Sequence, residues 1–296
     1  MICIDLGSNT LRACEMDENL EVINSFEKIV GSARNISQKG LADDAMERIC
    51  GALGELRSKF DFSSGYFAAA TQAFRISPNA KQFFERVYDE FGIKFEIIDG
   101  VSEAKFTKFG ILNRTNRLGF DANLALSIDL GGASTEISFG EHFESFEFGI
   151  VRFCEKCDKN IAKFSQNADF ATVKAREFMR KFKFDSVILT SGVPTTVAAL
   201  VLGMDYASYD AKFINGYKLK FDDFDKAYDM IISSNEPENL VGANRADILH
   251  AGICLLKSLL SGVNAPFVVI DDGLREGLGV ACDKKILAKK EFRGIK

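Results

Sequence analysis

At 296 residues, with 47% apolar and 27% charged side chains, the chain has the balance of a globular protein that buries a sizeable core, and this excludes disorder as a description of the whole. No apolar run approaches the roughly 18 residues needed to cross a bilayer, and strand-like sequence starts directly after Met1. This leaves no room for a signal peptide and points to a cytoplasmic protein with no membrane partner. A formal charge of −5 argues against nucleic-acid binding through a wholly basic surface.

Strand-like runs at 1–5, 11–16, 20–29, 65–70 and 95–98 alternate with helical patterns at 41–59 and 78–91, and a further helix is expected over 101–113. The order then restarts with strands at 124–129, 135–139 and 143–148, several helices, and strands at 186–190 and 267–271. This plan, repeated, predicts an α/β protein of two like domains with a cleft between them. The polar stretch 114–123, with Gly119, reads as the hinge, giving domains 1–118 and 119–296 with the last helix free to pack back on the first. That helix starts near Leu274, and Lys284, Lys285, Lys289, Lys290, Arg293 and Lys296 after it read as a solvated face.

Of seven cysteines, Cys3, Cys14, Cys50, Cys254 and Cys282 lie in apolar segments and read as buried thiols of a reducing compartment. Cys154 and Cys157 have CxxC spacing but no second pair, and read as helix-surface thiols rather than zinc ligands. The 27 phenylalanines, with no tryptophan, read as core filling.

One short device occurs twice. Ile4-Asp5-Leu6-Gly7-Ser8-Asn9-Thr10 recurs as Ile128-Asp129-Leu130-Gly131-Gly132-Ala133-Ser134-Thr135, each an apolar run ending in a carboxylate and a Gly/Ser/Thr turn. Tight turns at glycine expose successive N–H groups that suit phosphate oxygens, and hydroxyls at Ser8, Thr10, Ser134 and Thr135 add donors. Asp5 and Asp129 suit a divalent cation such as Mg²⁺ or Mn²⁺. A third turn, Ser191-Gly192-Val193-Pro194-Thr195-Thr196, follows a strand and opens an apolar helix; it reads as an N-cap, as a phosphate site, or as both.

Asp5-Leu6-Gly7-Ser8-Asn9-Thr10-Leu11-Arg12, Ala70-Thr71-Gln72-Ala73-Phe74-Arg75, Ser102-Glu103-Ala104, Asp129 to Glu136 and Gly273-Leu274-Arg275-Glu276-Gly277 resemble, in order, the motifs of the exopolyphosphatase / guanosine pentaphosphate phosphohydrolase (Ppx/GppA) family in its short two-domain form. The resemblance implies two ribonuclease-H-like domains of the actin-like ATPase superfamily flanking an active-site cleft. It implies Mg²⁺-dependent release of terminal phosphate from inorganic polyphosphate or from guanosine pentaphosphate, with a place in the stringent response. By the same resemblance Glu103 is the general base and Arg75 neutralises the transferred phosphoryl group. Gly7, Ser8, Asn9, Thr10, Arg12, Gly131, Gly132, Ala133, Ser134, Thr135, Ser191 and Gly192 then hold phosphate, and Asp5, Asp129 and Glu136 hold the metal. Arg12 reads equally as a surface strand residue, and Glu136 as a partner for Arg12 or Arg75.

The chain departs from the family pattern at Ala133, Ser102 and Val193-Pro194, and a position needing positive φ would resist the methyl of Ala133. It ends near Lys296 without the extra helical domain of the long family members. Arg152, Lys156, Lys159 and Lys163 recur at helical spacing, as do Lys105 and Lys108; they would track a polyanion if they faced the cleft, and otherwise are solvated faces. These stripes tilt the reading toward polyphosphate. An alternative is a sensor of the same fold that binds a nucleotide or guanosine tetraphosphate with little turnover; a polyphosphate kinase is a third reading. A homodimer is compatible with either of the first two, and His142 and His250 match no motif.

Overall fold

The computed structural model describes residues 1–243 and 245–291. The chain divides into two compact units, Met1–Asn113 together with the segment from Gly273, and Arg114–Asp272.

Unit 1 opens with β1 (Ile2–Leu6), β2 (Thr10–Met16) and β3 (Val22–Ile29), then α1 (Asp43–Lys59), β4 (Tyr66–Ala70), the single turn α2 (Gln72–Arg75), α3 (Ala80–Phe91), β5 (Glu96–Ile97) and α4 (Gly100–Arg117). Its sheet has the order β3-β2-β1-β4-β5. β2 runs antiparallel to β1 and β3, while β1, β4 and β5 are parallel. Short loops suffice for the first pairings, and helical crossovers are needed for the rest. Strand β4, buried along its whole length, has the continuous apolar run of a strand covered on both faces. Phenylalanines fill the space between helices and sheet: Phe84 stacks on Phe95 and sits against Phe74, both at 5.0 Å between centroids.

Unit 2 repeats the plan with β6 (Ala125–Leu130), β7 (Thr135–Phe139) and β8 (His142–Phe146). These are followed by α5 (Ile150–Lys156), α6 (Ile161–Met179), β9 (Ser186–Thr190), α7 (Gly192–Val201), α8 (Ala211–Ile214), β10 (Lys218–Leu219), α9 (Phe221–Ser233), α10 (Pro237–Val241), α11 (Ala246–Leu260) and β11 (Phe267–Val269). Read from β8, its order β8-β7-β6-β9-β11 is that of unit 1, with β10 added antiparallel at the edge. Both sheets are therefore ribonuclease-H-like, and the fold is α/β.

The final helix, α12 (Leu274–Asp283), belongs to unit 1. The division between units falls at 113/114, inside the last turn of α4, a few residues before the expected 118/119. Two glycine contacts fix α12 on α4. A Cβ on Gly277 would stand 1.7 Å from the carbonyl oxygen of Phe106, and one on Gly110 would stand 2.2 Å from that of Gly273. Leu274, Leu278, Ala281 and Cys282 of α12 complete a core with Cys3, Cys14, Phe67 and Phe106.

In the tail that follows, Lys284, Lys285 and Lys289 are exposed as expected, and Lys290 is the exception. Lys290 pairs as an isolated bridge with Tyr66, lies 2.8 Å from Glu96 and sits over the Phe67 ring at 4.9 Å. Burial holds its ammonium pKa below the ordinary lysine value, against the opposing pull of Glu96. Arg293 and Lys296 lie outside the described residues. The stripe expected over Arg152, Lys156, Lys159 and Lys163 is also broken: α5 stops at Lys156, Asp158 and Lys159 turn with positive φ, and Lys163 pairs with Asp158. Cys154 and Cys157 are buried rather than on the helix surface, and burial raises the Cys154 thiol to about 11.

Candidate active site

Strand β4 ends at Ala70 and the chain turns at once into α2, which carries Arg75. Arg75 Nε donates to Gln72 Oε1 at 2.7 Å, one helical turn back. Its Nη1 donates to the Ile98 carbonyl at 2.9 Å and to Glu103 Oε2 at 2.6 Å. Nη2 is buried with no hydrogen-bond partner among the described residues. The guanidinium is thus held from three sides, with one donor nitrogen to spare. Glu103, 8% exposed, comes from the first turn of α4, where an acidic residue also meets the positive end of the helix dipole.

Asp99 fixes where that helix starts. It accepts from the Ser102 N–H at 2.8 Å and from the Ser102 hydroxyl at 2.9 Å. The N–H bond above all holds the Asp99 carboxyl below its ordinary pKa. Ser102, a departure from the family pattern, therefore serves as part of the cap next to Glu103.

The two copies of the duplicated turn share their internal geometry. Gly7 N–H donates to Thr10 O at 2.9 Å, and Gly131 N–H to Ser134 O at 3.0 Å. These two N–H groups close the turns instead of facing a ligand, which corrects their expected role as phosphate donors. The turns do not rest on positive φ either: none of Gly7, Gly131, Gly132 and Ala133 has it. A Cβ on Gly131 would stand 3.0 Å from Ser134 O, a tight contact that favours glycine there. Ala133 adopts an ordinary backbone with its methyl buried, so the departure there carries no strain.

Each turn has its carbonyls tied back. Ser8 O accepts from Ala33 N–H and Asn9 O from Val30 and Gly31 N–H; Gly131 O accepts from Ile150 N–H and Gly132 O from Val151 N–H. In a trans peptide the N–H points opposite to the C=O. The N–H groups of Asn9, Gly132 and Ala133 are therefore turned away from the supporting segments. Gly149 makes the close support possible, since a Cβ there would lie 2.5 Å from Ala133 N.

The two turns differ in charge. Asp5 faces Arg12 across β1–β2, and Arg12 faces Glu27 on β3, Nε to Oε2 at 3.3 Å. Asp129 faces Glu136 across β6–β7, and Glu136 accepts from the Ser145 hydroxyl at 2.7 Å. The first row is negative, positive, negative; the second is negative, negative, hydroxyl. Only the second leaves two carboxylates side by side. Among the described residues no three His, Cys, Asp or Glu side chains gather into a metal-binding group. Two carboxylates together with phosphate oxygens and water still suit Mg²⁺.

Other candidates have internal tasks. Thr135 is fully buried and donates to the Phe148 carbonyl at 2.7 Å. Ser191 holds φ +87° and ψ 175°, a region that favours glycine, and its hydroxyl donates to Leu130 O at 2.9 Å instead of capping α7. Gly192 begins α7, and Arg245 reaches its carbonyl at 3.4 Å. Gln72, Asp99, Gly110 and Gly277 position Arg75 and Glu103 and were given no role from sequence; Gln72 and Gly277 stood inside quoted motifs, and Gln72 also has i,i+3 spacing to Arg75.

The Ppx/GppA phosphatase family model matches residues 20–285. An exopolyphosphatase structure from Cytophaga hutchinsonii superposes with a TM-score of 0.81 at 22% identity, covering 95% of this chain and 97% of that one. An Aquifex aeolicus member of the Ppx/GppA family does so with a TM-score of 0.74 at 24% identity, covering 96% and 97%. A curated relative, the bifunctional 3-dehydroquinate synthase/phosphatase of Fusobacterium nucleatum, is 27% identical over 91% of this chain, which spans 44% of that relative's length. The family model spans well over half of the chain, and the chain belongs to the Ppx/GppA phosphatase family.

Proposed function

We propose that the protein is a phosphohydrolase that releases terminal phosphate from inorganic polyphosphate or guanosine pentaphosphate by Mg²⁺-assisted attack of water. The observation that carries this reading is the Arg75–Glu103 pair with Arg75 Nη2 left over. A carboxylate that can take a proton from water sits beside a guanidinium nitrogen that can take a phosphoryl oxygen, which is what hydrolysis of a phosphoanhydride needs.

In this reading Glu103 orients the attacking water and accepts its proton as the new oxygen–phosphorus bond forms and the terminal phosphoanhydride P–O bond breaks, the shortened chain leaving as its phosphate anion. Arg75 donates to the equatorial oxygens while Gln72 and the Ile98 carbonyl hold it in place. The outward N–H groups of Asn9, Gly132 and Ala133, with the hydroxyls of Ser8, Thr10 and Ser134, bind phosphate oxygens. Asp129 and Glu136 hold the Mg²⁺, which supplies charge neutralisation to the phosphate chain when bound. Asp5, facing Arg12, is the weaker metal ligand of the two duplicated aspartates.

Phosphate release from long-chain polyphosphate and from guanosine pentaphosphate, followed for wild type and Glu103→Gln, tests the proposal. Release that depends on Glu103 supports it. Tight binding of either compound without release favours the sensor.

A further inference from the structure

Arg152 follows the duplicated turn of unit 2 and is built onto it. Its N–H reaches Gly132 O at 3.3 Å, alongside the bonds from Ile150 to Gly131 O and from Val151 to Gly132 O. Three residues earlier Gly149 presses against the Gly132–Ala133 backbone. The root of the Arg152 side chain is thus one hydrogen bond away from the peptide groups whose N–H bonds face outward.

Its guanidinium is anomalous. Nη1 is buried and has no hydrogen-bond partner among the described residues. A buried cationic donor without an acceptor opposes folding more strongly than a neutral one would. Such a group persists where a ligand supplies the acceptor, and the acceptor that suits a planar fork of N–H groups is a carboxylate or phosphate. The neighbouring turn selects phosphate, because its own N–H groups already point outward.

We infer that Arg152 is a phosphate-binding residue, its guanidinium contacting a phosphate seated on the Gly131-Gly132-Ala133 turn. This rests on the phosphohydrolase reading and extends it to a residue outside the duplicated motif. Of the expected stripe, Lys156 shares α5 with Arg152, Lys159 lies between the helices and Lys163 is on α6; Arg152 is the one whose backbone is bonded to the turn. Its contribution is to ground-state binding of the polyphosphoryl chain, so it acts on KM more than on kcat.

Calorimetry with tripolyphosphate and Mg²⁺ tests this in a Glu103→Gln background that does not turn the probe over. Adding Arg152→Gln is expected to weaken binding about ten- to a hundredfold, and adding Arg152→Lys to weaken it less. The melting temperature of the unliganded Arg152→Gln protein is expected to stay level or rise, because an unsatisfied charge has been removed. In the active enzyme Arg152→Gln raises KM by about tenfold or more, with kcat within about threefold. Equal affinity for tripolyphosphate with and without Arg152 overturns the inference alone. A melting temperature that falls in both Arg152 variants without ligand also overturns it, since the residue is then structural. Failure of the Glu103→Gln parent to bind tripolyphosphate overturns the phosphohydrolase reading beneath it.

Discussion

Glu103 and Arg75 are held by short, directional contacts, and their substitutions should separate chemistry from stability. Removing the base is expected to reduce phosphate release by about 10²–10⁴-fold. Glu103→Gln keeps an oxygen for Arg75, so its melting temperature should fall only modestly, whereas Glu103→Ala leaves Nη1 with the Ile98 carbonyl alone and should fall further. The duplicated aspartates should separate too. Asp129→Asn removes one of two adjacent carboxylates and should raise the Mg²⁺ needed for half-maximal release by about tenfold or more. Asp5→Asn should change that requirement less, because Asp5 faces Arg12. A titration of activity against Mg²⁺ for both variants checks the difference; equal shifts would contradict the assignment of the metal to unit 2. Ser191 gives a test of strain: Ser191→Ala loses the bond to Leu130 and keeps the unfavourable backbone, so it should destabilise by about 1 kcal/mol. Ser191→Gly loses the same bond but relieves the backbone and should be close to neutral in thermal melts.

At the scale of elements, the site depends on helices meeting sheets at close range. The Gly273-Leu274-Arg275-Glu276-Gly277 motif is chiefly a packing device: Glu276 Oε2 accepts from Gly273 N–H at 2.9 Å, and Gly277 lets α12 lie directly on Phe106 of α4. Gly277→Ala should therefore cost about 1–3 kcal/mol of stability and lower kcat by shifting the helix that carries Glu103. Denaturant melts and steady-state rates on the same preparation measure both. The elements themselves were largely legible, because strands of period two and helices of period 3.6 declare their buried faces. The breaks were not. Nothing in the periodicity marks Asp158 and Lys159 as left-handed residues that end α5, and the tail residue Lys290 reads as solvated until Tyr66, Glu96 and Phe67 are seen around it. Long-range contacts of this kind leave no local pattern.

For the molecule as a whole, the doubled sheet order explains why one turn was found twice and why its copies differ. A duplicated scaffold fixes backbone positions, while the facing residues Arg12 and Glu136 set the charge of each turn. The two aspartates were visible in the sequence as a pair; the inequality between them depends on strand register and was not. The site hydroxyls show the same division, since Thr135 and Ser191 fit a phosphate pattern but spend their hydroxyls on Phe148 and Leu130. His250, buried in unit 2 against the Tyr228 ring at 4.8 Å, adds a global pH dependence. Burial lowers its pKa, with Asp247 opposing. The unfolded chain then takes up a proton near pH 6.5 that the folded chain resists, so stability contributed by neutral His250 is complete above that pH and declines as pH falls below it. His250→Phe should flatten the fall in melting temperature below about pH 6.5; an unchanged pH profile would contradict this. Among the described residues no helix is long and apolar enough to cross a membrane.

The central claim is that Glu103, positioned with Arg75, activates water against a terminal phosphate. The most direct test is phosphate release from polyphosphate by wild type and Glu103→Gln, in Mg²⁺ and at matched folded concentration. The account predicts steady release by wild type and a loss of at least about a hundredfold in the variant, with tripolyphosphate binding retained. Full release by Glu103→Gln would contradict it.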